Sequence, residues 1–288
     1  MRFCRPDLPR RSWKQRRLVV PFLALLVLLV STGEAAAYHN DKQKVTEDTA
    51  YTLDDGEIRL GLWKFEYGLL DDLDIGTVLP IWFIKLANFN LKYEFWHDDT
   101  WAFAAKTGLA WLDVGSLAAA SDSKDPPEAM FFIIPFEVFG TYRFTDDLSL
   151  SLSSLFSKVA IDGSYDAEDF QGAVAVTNLQ LTSTFEWRVS QVTALLLHAR
   201  YLAYQDASGS TMLNLQPDDF TTIKVVGAAK SDAVDVANAV SLLASVVFSW
   251  DTFNLRLGLG YGNYSVPVVN FVLNQKLPFP DLSVYWRW

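Results

Sequence analysis

The segment 148–157 reads Leu-Ser-Leu-Ser-Leu-Ser-Ser-Leu-Phe-Ser, an almost unbroken alternation of apolar and polar side chains. Side chains of a β-strand point alternately to its two faces, so this period of two predicts a strand with one apolar and one polar face. The same pattern recurs in residues 88–97, 176–187 and 253–261. The chain is therefore predicted to be all-β and to consist of successive two-faced strands.

The connections between these strands fall into two classes, short and long. The short ones, most of which contain Asp, lie at residues 70–72, 97–100, 145–147, 189–190 and 251–252. The long ones lie at residues 113–129, 162–172, 206–236 and 264–279. Short and long connections alternate over most of the chain, which is typical of an up-and-down transmembrane barrel.

Aromatic residues recur near both ends of the predicted strands. Near the short turns they are Phe65, Tyr67, Phe95, Trp96, Trp101, Tyr142, Phe144, Phe185, Trp187, Trp250, Phe253, Trp286 and Trp288. Near the opposite ends they are Trp82, Trp111, Tyr201, Tyr204, Tyr261 and Tyr264. Amphipathic rings prefer a membrane–water interface, so two aromatic belts are expected. A soluble protein would use such residues in its core, but their recurrence at a fixed depth favours the membrane interpretation.

The start of the chain is typical of an export signal. Seven basic residues within residues 1–17 precede an apolar run over 18–30, and the small residues Ala35, Ala36 and Ala37 follow. Residues 1–37 are therefore predicted to be a signal peptide removed after Ala37, with Ala35 and Ala37 as its cleavage-site residues. The alternative is an uncleaved anchor, for which the run is shorter than the ~20 residues of a spanning helix.

Residues 38–288 are predicted to form one domain, because no Pro/Ser-rich linker and no long repeat divides them. This part holds 17 basic and 32 acidic side chains, a net charge of −15, which excludes an electrostatic footprint for nucleic acid. Its sequence has no cysteine, since Cys4 lies in the signal, so no intramolecular disulfide is expected. No nucleotide, dinucleotide, zinc or nucleophile-elbow motif occurs, and no cofactor is expected.

Eleven strands are predicted, starting near residues 57, 74, 88, 101, 130, 148, 173, 191, 237, 253 and 280. A single-chain bacterial barrel normally has an even number, so we assign a twelfth strand to Val45–Leu53, where Thr49, Tyr51 and Leu53 alternate before the turn signal Asp55-Gly56. A change of phase at Leu62-Trp63 predicts a β-bulge or a turn. Residues 232–250 are predicted to be a partly helical external loop that leads into a strand from about Ala239.

Two motifs resemble those of bacterial outer-membrane β-barrels, including porin-like ones. The alternating C-terminal row Leu282, Val284, Trp286 and Trp288 is similar to the signal by which the barrel-assembly machinery recognises its clients, with Trp in place of the usual terminal Phe. The segment 67–76, Tyr-Gly-Leu-Leu-Asp-Asp-Leu-Asp-Ile-Gly, is similar to a hairpin motif common in these barrels. The resemblance implies an antiparallel barrel of about 12 strands in outer-membrane lipid, with short periplasmic turns and long extracellular loops.

The polar face of such a barrel would line its lumen. The predicted lumen-lining residues are Arg59, Lys92, Glu94, Lys106, Glu137, Arg143, Glu186, His198, Arg200, Arg256 and Arg287, with Glu57 as a further acid. They either form ion pairs that fill a narrow barrel or form a charged constriction that selects solutes. The basic excess favours anions if a channel exists.

His198 is the one histidine with a catalytic alternative. Outer-membrane acyl hydrolases place His and Ser two residues apart on the lipid-facing side of one strand, whereas here Arg200 stands two residues after His198. A lumen-lining histidine is therefore the favoured interpretation. The acidic stretches 121–125 and 162–169 lack the ligand spacing of a calcium loop, so no metal site is predicted.

Three functions remain open from the sequence. The first is a passive channel for small, particularly anionic, solutes, lined by Lys92, Lys106, Glu137, Arg200 and Arg256. The second is a closed barrel with a structural or surface-interaction role, in which external loops such as 206–236 bind a partner. The third, which is the least favoured, is a membrane-embedded lipid hydrolase.

Overall fold

The computed structural model describes residues 45–113, 128–165, 170–209, 211–215, 223–227, 239–266 and 271–288. The predicted signal peptide and its cleavage site lie outside these ranges, so the signal and the domain boundary at residue 38 stay predictions.

The described chain is almost entirely β-strand. The strands are β1 (Ile58–Gly61), β2 (Lys64–Leu70), β3 (Leu73–Val78), β4 (Ala87–His97), β5 (Trp101–Asp113), β6 (Glu128–Thr145), β7 (Leu148–Tyr165), β8 (Phe170–Ser190), β9 (Thr193–Gly209), β10 (Thr211–Leu215), β11 (Ile223–Gly227), β12 (Ala239–Trp250), β13 (Phe253–Val266) and β14 (Phe271–Arg287). Twelve of these strands form one closed antiparallel barrel, in which each pairs with its neighbours along the chain and β1 pairs with β14. The strands β10 and β11 form a separate hairpin.

The two faces of the wall differ as the alternation predicts. On β7, Ser151 is 1% exposed and points inward, whereas its neighbour Leu152 points outward and is 57% exposed. Large apolar side chains on the outer surface recur around the wall, as at Phe136, Leu197 and Leu259. A soluble barrel would show the reverse arrangement, so this surface matches a lipid environment.

Outward aromatic rings contact one another near the short turns. The rings of Trp101 and Tyr142 lie 4.6 Å apart, and those of Tyr142 and Phe144 lie 4.7 Å apart. Farther round the wall, the ring of Phe253 lies 5.4 Å from that of Trp286. The Trp101–Tyr142 and Phe253–Trp286 contacts bridge neighbouring strands, and Tyr142 and Phe144 lie on the same strand; all of them agree with the predicted aromatic belt on this side.

The barrel closes through its first and last strands. Ile58 and Trp288 exchange backbone hydrogen bonds of 3.0 Å in both directions, and the Trp63 indole N–H donates to the Leu282 carbonyl at 2.6 Å. Inside the wall, Arg287 donates to both carboxylate oxygens of Glu57, at 2.5 and 2.9 Å. The seam is thus joined by main-chain bonds, an outer indole and an inner ion pair.

The predicted strand number is right, but one of the predicted strands is wrong. Val45–Leu53 is not part of the wall. The twelfth strand arises because a turn at Leu62-Trp63 divides residues 58–70 into β1 and β2. The Asp55-Gly56 signal does mark a turn, in which the Glu57 N–H donates to the Asp54 carbonyl at 3.0 Å, but it leads into β1 and does not join two wall strands.

Some strand limits also differ from those predicted. The last strand begins at Phe271, not near residue 280, and β7 and β8 extend to Tyr165 and from Phe170 into the predicted loop 162–172. β12 does begin at Ala239, as predicted, whereas the expected helical part before it lies outside the described residues. β7 and β8 keep pairing within the segment predicted to be a loop, so the change in side-chain polarity did not mark the ends of these strands.

The two ends of the barrel are built differently. A 3-10 turn, Pro80–Ile84, follows β3 at the end away from the short turns. Next to it, Leu86 packs into an inner apolar cluster with Ala110, Ile133 and Val159. An inner apolar cluster therefore lies at this end of the barrel, whereas polar inward side chains lie towards the short turns. No helix in the described ranges has the length and hydropathy needed to cross a membrane.

Candidate functional site

Residues 45–55, which we call the plug, lie inside the barrel at its short-turn end. Ala50 and Leu53 are completely buried. Ala50 and Tyr51 pack against the inward-facing Ala102, Ala104 and Phe139, and Val45 packs against Ala194, Leu196 and Val247. The plug is therefore enclosed by strands from several parts of the wall.

Inward polar side chains of the wall bind the main chain of the plug. The Ala50 N–H donates to Thr141 Oγ1 at 2.8 Å, and the Leu53 N–H donates to Asp74 Oδ1 at 2.9 Å. A buried segment without a partner strand would otherwise leave these main-chain groups without hydrogen bonds. Side chains of the wall accept the hydrogen bonds that a neighbouring strand would otherwise accept. The plug can therefore lie in the lumen without joining the sheet.

Two predicted lumen residues, Lys92 and Glu94, take part in this binding. Lys92 Nζ donates to the carbonyl oxygen of Thr46 at 2.9 Å and to that of Tyr51. Glu94 Oε2 accepts from the Thr52 N–H at 3.2 Å and from the Thr52 hydroxyl at 3.1 Å. The inner charges at this depth are thus directed at a segment of the same chain.

Glu47 of the plug is contacted by three cations of the wall. These cations are Arg59, Lys64 and Arg256, and we call the place where they meet the basic site. Its Oε1 lies 2.6 Å from Lys64 Nζ, while its Oε2 lies 3.1 Å from Arg59 Nη2 and 3.4 Å from Arg256 Nη1. These donors come from β2, β1 and β13 and meet on a single carboxylate. Such charge-assisted hydrogen bonds are about twice as strong as neutral ones.

The basic site also contains two carboxylates of the wall. Arg59 Nη1 lies 2.8 Å from Glu66 Oε2, and Arg256 Nε lies 2.5 Å from Asp281 Oδ2. Lys64 has no described ion-pair partner besides Glu47. Asp48, which follows Glu47, lies farther away, with 3.9 Å between its Oδ2 and Arg256 Nη1.

The plug joins the wall at Asp54–Gly56, where close packing requires glycine. A Cβ atom added to Gly68 of β2 would lie 2.1 Å from the Asp54 carbonyl oxygen and 3.3 Å from the Leu53 Cβ. Gly56 has a φ of +75°, which glycine adopts without strain. The Tyr67-Gly68 pair of the predicted hairpin motif thus lies at the root of the plug.

The other predicted lumen residues lie at several depths. Arg143 is placed 5.9 Å from the centre of the Tyr51 ring, and Glu137 accepts from the Ser153 hydroxyl at 2.8 Å. Glu186 pairs with Arg188 of its own strand at 2.9 Å. Lys106 lies opposite Glu137 in the β5–β6 register, while Arg200 lies between Thr182 and Ser241 on the neighbouring strands.

The surroundings of His198 do not resemble those of a catalytic base. Its Nδ1 lies 2.9 Å from Thr184 Oγ1, and its Nε2 lies 3.0 Å from Arg256 Nη2. A guanidinium only donates, so Nε2 accepts and the neutral ring carries its proton on Nδ1, where it donates to Thr184. In this tautomer the imidazole has no free acceptor with which to take the Thr184 proton. Asp48 Oδ2 lies 3.8 Å from the same Nδ1.

No group of three or more His, Cys, Asp or Glu side chains is arranged to hold a metal ion within the described ranges. The acidic stretches 121–125 and 162–169 lie outside the side chains that the structure describes.

The central residues of the site, Glu47 and Asp48, were not predicted. They lie just before the short alternation Thr49, Tyr51, Leu53, which led us to assign a wall strand. Lys64 and Glu66 were also missed, because they follow the change of phase at Leu62-Trp63. Asp74 and Asp281 were missed although both lie at the start of predicted strands. One signal was available: a turn at Leu62-Trp63 already completes twelve strands and leaves Val45–Leu53 without a place in the wall.

The barrel can be compared with proteins of known structure. The class of fold predicted from the sequence is confirmed. The similar structures include the toluene transporter TodX of Pseudomonas putida, at 10% identity over 88% of this chain and 92% of that one, with a TM-score of 0.43. They also include the outer-membrane expressed OmpT of Vibrio cholerae, at 16% identity over 78% of this chain and 64% of that one, with a TM-score of 0.37.

A ΔS2 mutant of the TodX monoaromatic hydrocarbon channel is similar at 10% identity over 82% of this chain and 66% of that one, with a TM-score of 0.39. This chain thus spans slightly less than two thirds of the OmpT chain and of the mutant chain. At such identities the likeness concerns the fold alone. No protein-family model and no curated protein sequence matches the chain.

Proposed function

We propose that this protein is an outer-membrane channel for small solutes, and that the plug closes it in the state described here. The observation that carries the proposal is the way in which the plug is bound. Its main chain is held by side chains of the wall, at Thr141, Asp74, Glu94 and Lys92, and not by strand pairing. The plug can therefore leave without breaking a hydrogen bond between wall strands.

The location follows from the outer surface of the barrel. Its exposed apolar side chains and ring contacts suit outer-membrane lipid, and the alternating C-terminal row suits recognition by the barrel-assembly machinery. Leu282, Trp286 and Trp288 all point outward and are at least 36% exposed. In this proposal the short turns face the periplasm, so the plug closes the channel from the periplasmic side.

The lumen that the plug leaves would be polar and suited to passive diffusion. Inward side chains around the plug include Ser149, Ser151, Ser245, Ser249 and Asn254, all of which are buried in the closed state. A permanently filled barrel could instead be packed by side chains of its own wall. A separate segment held by polar contacts favours a barrel that opens.

A disulfide lock tests the proposal. The predicted mature chain has no cysteine, and the Ala50 N–H donates to Thr141 Oγ1 at 2.8 Å, so Ala50→Cys with Thr141→Cys introduces two thiols on adjacent residues of the plug and the wall. Mass spectrometry of the oxidised protein shows whether the disulfide has formed. In planar bilayers, the oxidised protein should give no conductance steps, and reduction should restore them. Thr141→Cys alone is the control and should not respond to the oxidant.

Equal step frequencies in the oxidised and reduced double variant would show that the plug does not control conduction. Silence of the folded protein in every state would favour the second function, a filled barrel that acts through its external loops. The separate hairpin of β10 and β11, within the long connection after β9, is the described feature that such a function would use.

A further inference from the structure

The basic site has the composition of a binding site for a small anion. It contains three cations, Arg59, Lys64 and Arg256, and two wall carboxylates, Glu66 and Asp281. One positive charge is therefore left over within the wall itself. In the closed state the carboxylate of Glu47 contacts all three cations, and Asp48 lies 3.9 Å from Arg256 as a second, more distant acid.

The geometry around Glu47 shows what kind of anion fits. One carboxylate oxygen accepts from Lys64, and the other accepts from both Arg59 and Arg256. Arg59 and Arg256 are 4% and 6% exposed, so these donors are fixed by their surroundings and are not free surface chains. The site thus presents donors to both oxygens of a planar monoanion.

When the plug leaves, the site loses this partner. Loss of a partner is costly for a half-buried charge, and Lys64, which is 28% exposed, would keep only the more distant attraction of Glu66. An anion from solution can take the place of Glu47 and so stabilise the plug-free state. A dianion suits the site less well, because its second charge would lie beside the carboxylates of Glu66 and Asp281.

We propose that Arg59, Lys64 and Arg256 form a binding site for small monocarboxylate solutes, which Glu47 occupies when the channel is closed. This inference rests on the proposed function, since the plug must be able to leave. The solute and the plug then compete for one site, so that a carboxylate solute promotes opening.

Calorimetry on the full-length mature protein tests the binding directly, without a need for conduction. The protein carries Glu47→Gln and Asp48→Asn, which remove the competing carboxylates. Benzoate is the probe, and benzamide is its uncharged analogue of the same shape. Benzoate should bind at least tenfold more tightly than benzamide, and addition of Lys64→Gln should weaken benzoate binding about tenfold, the effect of one charge-assisted hydrogen bond.

Lys158→Gln in the same background is the matched control, since Lys158 is an exposed lysine far along β7. It should leave benzoate binding unchanged. A heat-modifiable gel shift shows that each variant is folded. The inference is overturned if benzamide binds as well as benzoate, or if Lys64→Gln and Lys158→Gln have the same effect.

The same preparation separates this inference from the proposed function. Two results together support both the channel and the carboxylate site. They are benzoate binding that needs Lys64, and conduction that appears when the disulfide lock is reduced. Conduction without benzoate binding overturns the carboxylate site and leaves the channel in place. Binding without conduction in any variant overturns the channel and with it the competition between solute and plug.

Discussion

Neutralising the two acids of the plug should open the channel. The double variant Glu47→Gln, Asp48→Asn keeps the size of both side chains and removes the charges that face Arg59, Lys64 and Arg256. Glu47 makes three contacts of 2.6–3.4 Å to these cations, and its side chain is 20% exposed. The Asp48 side chain is 41% exposed, and its Oδ2 lies 3.9 Å from Arg256 Nη1 and 3.8 Å from His198 Nδ1. Its contribution is therefore smaller.

The size of the effect follows from these contacts. Hydrogen bonds to charged groups are worth about 1.5–3 kcal/mol, and loss of one partner of a buried pair costs about 3–5 kcal/mol. Partial exposure lowers this value, so we expect the plug to be bound about 2–4 kcal/mol less tightly. That corresponds to a rise of the open-to-closed ratio by roughly thirtyfold to several hundredfold.

Planar-bilayer recordings of open probability measure this ratio directly. Asp146→Asn with Asp147→Asn, in the β6–β7 turn, makes the same change of net charge away from the basic site and serves as control. The control should behave like the native protein. Equal open probabilities for the plug variant, the control and the native protein would refute the electrostatic account of plug binding.

Four further results are expected. Gly68→Ala places a Cβ against the Asp54 carbonyl and should weaken binding of the plug by about 1–3 kcal/mol, which proteolysis of the N-terminal segment would show as a faster rate. Gly140→Ala is the control, because its Cβ would meet only the Phe103 ring, and it should leave the proteolysis rate unchanged. Raising the salt concentration to about 1 M should increase the open probability of the native protein more than that of the neutralised double variant, because the screening length falls to about 3 Å. Trp63→Phe removes the indole bond across the seam and should lower the free energy of unfolding by about 1 kcal/mol in a urea titration followed by gel shift. The backbone N–H groups of Trp101 and Thr100 donate to Asp98 Oδ1 and hold the pKa of this carboxyl below its usual range. Acidification through the lowered pKa should protonate Asp98, weaken both hydrogen bonds and shift both amide resonances. Unchanged resonances would exclude this turn geometry.

Much of the fold could be predicted because a barrel wall repeats one local rule. Alternation in segments such as Leu148–Ser157 fixes which side chains point outward, and the Asp-containing turns fix how neighbouring strands pair. The error at Val45–Leu53 has a physical cause. The segment contains a turn, with Asp48 at a φ of +61°, and all of residues 49–53 are buried, so it has no two-faced pattern; its partners are side chains of the wall rather than another main chain. Periodicity alone does not distinguish these two environments.

The candidate site was only partly predictable for a related reason. Residues on regular strands, such as Lys92 and Arg256, were assigned to the inner face from the alternation, and the structure gives both as buried. Glu47 and Asp48 lie outside any regular element, so no period predicts their direction. Their roles arise from contacts with residues far away in sequence, up to Arg256, which only the closed barrel brings together.

The position of the plug directly before β1 links its entry to the completion of the barrel. Pairing of wall strands that follow one another closes loops much shorter than the chain, whereas β1 must find β14 across most of the chain, and such distant pairings are slow. The root of the plug is held between the turn at Gly56 and β2, so the hairpin that completes the seam carries the plug with it. A folding intermediate with an open seam would then expose its polar interior and its N-terminal segment together. We therefore expect closure of the wall and entry of the plug to occur together, late in assembly.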